Sequence, residues 1–155
     1  TVFGGRLGGS TTVLGNLRNE SGTVGAGEGN GFGTLSVLGS FTQLAAGMLD
    51  FDIGNGGADL LDLAGRASFG GSLDVSFVDG LSGAGLYTLI SAGNYTGRFD
   101  AMTVTGLAAG YAANLVYSAA GVQLSVAVVP EPHTYAMLLA GLAALGGLVR
   151  HRRRG

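Results

Sequence analysis

The sequence predicts an all-β body, built as a glycine-rich β-solenoid, followed by one C-terminal transmembrane α-helix. Three observations lead to this fold class. Apolar and polar residues alternate in short runs, these runs recur at regular intervals, and a late stretch of 15 residues carries no charge. Glycine fills 31 of 155 positions and charged residues only 12%, which is unlike an ordinary helical domain or a charged disordered coil.

Alternation with a period of two identifies the strands of the body. In most runs single polar residues separate the apolar ones, as expected when one side of a strand is buried and the other meets solvent. The runs are Leu35 to Val37, Leu49 to Ile53, Leu61 to Leu63, Leu73 to Phe77, Leu86 to Ile90 and Val122 to Val128. No segment before residue 134 shows a sustained helical period.

The spacing of these strands favours a solenoid. Strands start near Leu35, Leu49, Leu61, Leu73 and Leu86, at intervals of 14, 12, 12 and 13 residues. Such regularity without a strict repeat is typical of coils in which each strand stacks on the equivalent strand of the next coil. An antiparallel β-sandwich, with turns about every 8 to 12 residues, gives a similar pattern and is the alternative.

The chain divides into a body, residues 1–128, and a tail, residues 129–155. Residues 1–34 contain frequent glycines and isolated apolar residues, so they form either a flexible segment or an incomplete coil. At the other end of the body, two strands should close the open end of the solenoid and protect it from aggregation. These closing strands are Ala113 to Tyr117 and Val122 to Val128.

Three different segments make up the tail. Two prolines flank a glutamate in Val129-Pro130-Glu131-Pro132, and because proline fixes φ and donates no backbone hydrogen bond, residues 129–134 should be an extended spacer. Residues 135–149 are uncharged and rich in leucine and alanine, which predicts a transmembrane helix about 22 Å long. Residues 150–155 form a basic end with Arg150, Arg152, Arg153 and Arg154.

This order of segments resembles the PEP-CTERM sorting tail of exported and surface proteins of Gram-negative bacteria. The resemblance rests on Val129, Pro130, Glu131 and Pro132, together with the apolar run and the arginines that follow. It implies recognition and cleavage near Pro-Glu-Pro by a membrane-embedded exosortase, so that the helix is a transient handle. A plain C-terminal membrane anchor with an incidental Pro-Glu-Pro is the alternative.

The body has a second resemblance, to the right-handed β-helices of autotransporter passenger domains. It rests on degenerate coil motifs, among them Gly47-Met48-Leu49-Asp50-Phe51-Asp52-Ile53-Gly54 and Gly70-Gly71-Ser72-Leu73-Asp74-Val75. With these motifs the resemblance covers roughly residues 33–128. It implies a right-handed β-solenoid and concerns the fold more than the function.

Missing side chains exclude most catalytic chemistry from the body. Before His133 the sequence has no histidine, cysteine, lysine or tryptophan. Histidine-dependent nucleophiles, Schiff-base lysines and histidine-ligated zinc are therefore unavailable. We expect no catalytic residue, no cofactor and no metal site, and hence a protein that is not an enzyme.

Carboxylates are the one class of catalytic group that the body does offer. Paired carboxylates can cleave glycosidic bonds, and the candidates are Asp50, Asp52, Asp59, Asp62 and Asp74. We expect instead a solvated outer face, because Asp50 and Asp52 alternate with apolar residues on a regular strand. The segment Gly54 to Asp62 resembles one calcium-binding nonapeptide of the RTX type, but such sites need tandem copies, so a solenoid corner is expected.

Charge is distributed unevenly between the body and the tail. Residues 1–132 hold four arginines against all ten carboxylates, a formal charge of −6, which gives no electrostatic footprint for nucleic acid. The arginine cluster should stay cytoplasmic by the positive-inside rule, which places the body across the inner membrane. Export requires a leader that is absent at Thr1, so we expect the natural protein to extend further toward its N terminus.

Together these expectations describe an exported structural protein of the cell surface or extracellular matrix. The helix first anchors it in the inner membrane with the body in the periplasm, and processing then transfers it to the surface. Its expected partners are the lipid bilayer and the exosortase, and the resemblance implies an exopolysaccharide matrix as the destination. The alternatives are a fragment of a polysaccharide-acting surface enzyme and an adhesin, each with a β-helix body.

Overall fold

The computed structural model describes residues 1–29, 31–78, 83–130 and 137. Nearly all of the regular structure in these ranges is β-strand. The strands are β1 Arg6–Leu7, β2 Thr11–Val13, β3 Leu17–Asn19, β4 Thr23–Gly25, β5 Thr34–Val37, β6 Phe41–Gln43, β7 Met48–Gly54, β8 Gly57–Ala58, β9 Leu60–Leu63, β10 Ala67–Phe69, β11 Ser72–Phe77, β12 Gly85–Ala92, β13 Tyr95–Gly97, β14 Ala101–Thr105, β15 Tyr111–Ser118 and β16 Gly121–Val128.

Three parallel sheets run along the body, and the chain visits them in turn. Face 1 contains β1, β4, β7, β11 and β14, face 2 contains β2, β5, β9 and β12, and face 3 contains β3, β6, β10 and β13. Neighbouring strands within each of these sets pair in parallel. One passage over the three faces is one coil, and residues 6–97 form a β-solenoid of about four coils.

Parallel pairing confirms the predicted solenoid and shows that the antiparallel sandwich is wrong. Leu35 of face 2 pairs with Leu61 in the next coil, and Leu49 of face 1 pairs with Leu73. The predicted strand starts therefore fall alternately on face 2 and face 1, and their spacing of 12 to 14 residues is about half a coil. Face 3 was not recognised because its strands have only three residues, too few for alternation to be visible.

Apolar side chains of successive coils stack over one another inside the solenoid. On face 1, Val24, Leu49 and Leu73 occupy equivalent positions in three coils, and all three are buried. Alternation produces this column, because every second residue of a strand points to the same side. Full burial of each leucine or valine contributes about 1.5 to 3 kcal/mol relative to exposure, so the stacked columns are the main stabilising feature of the body.

Two buried amides fasten the corner at which face 3 leads into face 1. Asn19 donates to the side-chain oxygen of Gln43 at 3.2 Å and to the carbonyl of Met48 at 3.1 Å. Gln43 donates in turn to the carbonyls of Gly70 and Ser72, at 3.1 and 3.0 Å. These hydrogen bonds satisfy the two buried amides and connect successive coils at this corner. Residues 1–34 thus contribute strands β1 to β4 and part of this corner.

A terminal hairpin, β15 with β16, follows the last coil. Strand β16 pairs antiparallel with β12 and extends face 2, and β15 pairs antiparallel with β16. These are the two predicted closing strands, each slightly longer than expected. Tyr117 of β15 covers the end of face 3, because its hydroxyl accepts a hydrogen bond from the N–H of Phe99 at 3.1 Å and its ring lies 6.4 Å from that of Tyr95.

Most of the predicted tail lies outside the described residues. Val129 and Pro130 are described and exposed, and Met137 is helical and exposed. The other positions of the predicted transmembrane helix, 135–149, are not described, and neither are Glu131, Pro132, Arg150, Arg152, Arg153 and Arg154. Over the part of the chain that is described, no helix reaches the length and apolarity needed to cross a bilayer.

Candidate functional site

The tail leaves the body directly from the terminal hairpin. Tyr111 and Val128 are the last register partners of β15 and β16, and one residue further the N–H of Val129 donates to the carbonyl of Gly110 at 2.7 Å. Gly110 has a φ of +83°, a conformation that glycine adopts without a steric penalty. Pro130 has no N–H, so the pairing cannot continue through it. The proline motif therefore begins at the end of a strand without an intervening linker.

This attachment has a component that the sequence did not reveal. Val129 and Pro130 were predicted as parts of the sorting motif, and the structure places both at the exposed end of the hairpin. Gly110 was not predicted as their partner. The sequence offers only a glycine before an apolar strand as a signal, and the same pattern occurs at many other corners of this chain.

The candidate aspartates do not converge on one site. Asp62 is exposed on face 2, as predicted for a solvated outer position, whereas Asp50, Asp52 and Asp74 are half-buried on the outer side of face 1. Asp59 is buried, with 1% of its surface exposed, so the prediction of an outer position is wrong for this residue. It lies at the corner between faces 1 and 2, where it has a structural use.

On face 1 the positive charge of Arg6 partly balances the negative charge of the aspartates nearest to it. Arg6 belongs to the first coil and Asp50 to the third, and their side chains form an ion pair across the second coil. Gly25 lies in between, and a Cβ at this position would come within 2.6 Å of the Arg6 guanidinium. The missing side chain thus leaves the space through which Arg6 reaches two coils along the solenoid.

Asp52 and Asp74 lie on the same outer side of face 1, in surroundings that are less favourable for a charged carboxylate. Burial raises the pKa of Asp52 above its ordinary value, and the charges of Asp59 and Asp50 raise it further. Asp74 is the register partner of Asp50, and one of its carboxylate oxygens is buried without a hydrogen-bond partner among the described residues. The outer side of face 1 therefore concentrates negative charge on regular strands.

Asp59 fastens the corner between faces 1 and 2. One carboxylate oxygen accepts a hydrogen bond from the N–H of Gly33 at 2.8 Å, and the other accepts one from the N–H of Asp52 at 3.0 Å. Burial raises the pKa of Asp59, although these backbone hydrogen bonds act in the opposite direction. The carboxylate therefore ties the segment before β5 to β7.

The segment that resembles a calcium-binding nonapeptide, Gly54 to Asp62, lies at this corner. Its first residues form a short hairpin in which Ile53 pairs with Ala58, and Asp59 directs its oxygens to backbone N–H groups. Across residues 1–29, 31–78 and 83–130, no three acidic, histidine or cysteine side chains come close enough together to hold a metal ion. The short hairpin and the Asp59 hydrogen bonds make this segment a solenoid corner.

Comparison with known protein families identifies the tail. A family model described as the PEP-CTERM protein-sorting motif matches residues 128–154. The match begins at the last residue of β16 and includes the Pro-Glu-Pro, the apolar run and the arginines. It implies an exported protein that is sorted by an exosortase, a membrane protease. No curated protein and no solved structure matches the chain.

Proposed function

We propose that this chain is a structural protein of the cell surface or extracellular matrix, sorted by an exosortase that recognises its tail. The match of residues 128–154 to the sorting motif is the observation that carries the proposal. The solenoid supports it, because each coil is hydrogen-bonded to the next, an architecture suited to a surface component. In this proposal the body is the cargo and the tail determines its destination.

The tail provides the topology of the proposed intermediate. Residues 135–149 anchor the chain in the inner membrane, and Arg150 and Arg152 to Arg154 remain on the cytoplasmic side. A helix of this length, about 22 Å, is shorter than the hydrocarbon core of about 30 Å, and the arginine stems can extend toward the interface to reduce the mismatch. The body then lies in the periplasm until the exosortase cleaves near Pro-Glu-Pro.

The attachment of Val129 to the hairpin limits the distance between the body and the bilayer. Six peptide steps separate Val129 from Tyr135, and a fully extended chain advances at most about 3.6 Å per residue, or roughly 20 Å in total. The exosortase must therefore act close to β15 and β16. The chain that forms β15 and β16 carries no charge of its own, since no charged residue occurs between Ala101 and Pro130.

The acidic residues support a structural body more than an enzyme. A glycosidase needs two carboxyl groups that face a substrate-binding space. Asp59 instead has both oxygens bonded to backbone N–H groups, and Asp50 is paired with Arg6. We therefore propose that these carboxylates stabilise corners and outer strand faces, and that the body has no catalytic activity.

Expression of the full-length gene in matched hosts with and without an exosortase tests this proposal. We expect the body in the released fraction when the enzyme is present and in the inner membrane when it is absent. The double variant Pro130→Ala and Pro132→Ala should stay in the membrane of the exosortase-positive host, whereas Thr96→Ala on exposed β13 should be released normally. Equal release from both hosts would contradict the proposal.

A further inference from the structure

Within the described part of the chain, strand β15 lies at the edge of its sheet. It consists of eight residues, Tyr111–Ser118, and pairs with β16 on one side only. Gly110 and Val129 are directly opposed and hydrogen-bonded, and bonded pairs alternate with non-bonded pairs along an antiparallel ladder. The odd-numbered residues 111 to 117 therefore direct their N–H and C=O groups away from β16. Among the described residues, the N–H groups of Ala113, Leu115 and Tyr117 have no backbone partner on that side.

Among the described residues, β15 is the longest strand at a sheet edge. Strands β1, β2, β3 and β13 have two or three residues each, and β14 has five and is followed by Gly106 with a φ of +70°. Arginine lies within β1 and β3 and directly after β13. Strand β15 has no charge, proline, glycine or bulge, although natural proteins commonly use such features to prevent strand pairing at an edge.

We propose that β15 pairs antiparallel with β15 of a second copy, which joins face 2 of two bodies into one continuous sheet. An antiparallel pair of identical strands has two-fold symmetry, so each copy presents the same surface and the contact closes at a dimer. Centred on Asn114, the pairing sets Ala113 opposite Leu115 and Tyr111 opposite Tyr117 of the other copy. The free backbone groups of the odd-numbered residues then face one another.

The side chains of β15 favour a copy of itself over a charged partner strand. Two identical strands with charges would place like charges close together, and β15 has none. Asn114 is exposed, and its amide contains both donors and an acceptor, so it can hydrogen-bond to its own counterpart across the two-fold axis. Exposed Val116 adds apolar area beside it.

A contact of one strand with one strand is small, and we expect the dimer to be weak in dilute solution. Interfaces below about 1,200 Å² are typical of transient complexes. Confinement of anchored chains to one membrane would raise their effective concentration and strengthen the pairing. The inference depends on the geometry of the β15 edge and not on the sorting reaction, so each can fail without the other.

Cysteine cross-linking tests the pairing directly, because the chain has no cysteine of its own. In the full chain in detergent, Asn114→Cys should give at least about tenfold more disulfide-linked dimer under mild oxidation than Thr12→Cys. The control residue is exposed on β2, at the opposite edge of face 2, and so matches Asn114 in setting. Similar dimer yields from the two variants would overturn the proposal.

Hydrogen exchange and sedimentation equilibrium test it without a cross-link. The amides of Ala113 and Leu115 should become slower to exchange as protein concentration rises, in parallel with dimer formation, and Val116→Lys should abolish both effects while Thr12→Lys does not. Fast exchange with a monomer at every concentration would overturn the proposal. Slow exchange that is independent of concentration would overturn it equally, because another segment of the same chain would then cover the edge.

Discussion

The four coils and the terminal hairpin differ in how their strands pair and in how deeply their side chains are buried. In the coils every strand of the three faces between the first and the last coil has a parallel neighbour on both sides, and apolar side chains such as Leu49 and Leu73 are fully buried. In the hairpin the pairing is antiparallel, and the inward residues of β15, including Leu115, are only half-buried. The coils are stabilised by repetition, whereas the hairpin ends the repetition and leads into the tail.

Charge distinguishes these two regions more clearly than burial does, because Val122 and Leu124 of β16 are as fully buried as the leucines of the coils. Arg6, Asp50 and Asp59 make defined contacts within the coils, while Ala101 to Pro130 contains no charged residue. Polar contacts keep the coils in register, because a shift by one residue would separate each of these pairs. The hairpin has no such ion pair; it is held by one continuous ladder from Tyr111 to Val129 and by the buried side chains of β16.

The largest loss of stability should come from a cavity in the coils. Phe51→Ala removes a fully buried ring from β7, and we expect the free energy of unfolding to fall by about 4 kcal/mol. Leu115→Ala, which truncates a half-buried side chain in the hairpin, should lower it by roughly 1 to 2 kcal/mol because less apolar area is lost. Urea unfolding of both variants measures the difference. An equal loss would mean that the hairpin contributes as much packing as a coil.

The next largest effect should follow loss of the buried carboxylate at the corner. Asp59→Ala leaves the N–H groups of Gly33 and Asp52 without acceptors, and we expect a loss of about 3 kcal/mol from the free energy of unfolding. Asp62→Ala, an exposed aspartate three residues away, should change it by no more than about 0.5 kcal/mol. If both variants unfold at the same urea concentration, Asp59 does not fasten the corner.

The buried aspartates of the coils should make the stability of the chain depend on pH. Burial raises the folded-state pKa of Asp52 and Asp59, so the folded chain binds protons before the unfolded chain does as pH falls. The stability from these groups is fully present below the ordinary pKa of 3.8 and is lost as pH rises through the folded-state values. The parent should therefore gain more stability than Asp52→Asn between about pH 7 and about pH 4. An equal or larger gain in the variant contradicts this assignment.

The smallest effect should come from the exposed ion pair between the first and third coils. Arg6→Gln should lower the free energy of unfolding by about 0.5 kcal/mol, since the pair is partly solvated and salt screens it. The Arg6 charge also lowers the pKa of Asp52, so the variant should raise this pKa further. An NMR titration of the Asp52 carboxyl, with Arg18→Gln as control, measures the shift; an unchanged pKa would mean that Arg6 does not act on Asp52.

Much of the body could be predicted because burial on one side of a strand leaves a visible pattern. The alternation through Leu49 to Ile53 and Leu73 to Phe77 identified β7 and β11, and the interval between strand starts favoured a solenoid. The tail could be recognised for a different reason. Its proline motif, apolar run and arginines occur in a fixed order that a family model also matches.

The contacts between coils could not be predicted, because they join residues far apart in the chain. Asn19 and Gln43 are polar residues on three-residue strands, and no local pattern indicates that both amides are buried at one corner. In the sequence, Asp59 does not differ from the exposed aspartates near it. Its buried position depends on the N–H of Gly33, which only the folded chain brings close to it. The bond from Val129 to Gly110 likewise depends on hairpin register.

The most direct test of the proposed sorting function is the mass of the chain that reaches the surface. Mass spectrometry of protein released from an exosortase-positive host should find the body retained through Val129, with Tyr135 to Gly155 removed. The same measurement on the membrane fraction of a host without the enzyme should find the tail intact. Released protein that still contains Tyr135 to Gly155 would contradict the proposal that the tail is a sorting signal that the exosortase removes from the solenoid body.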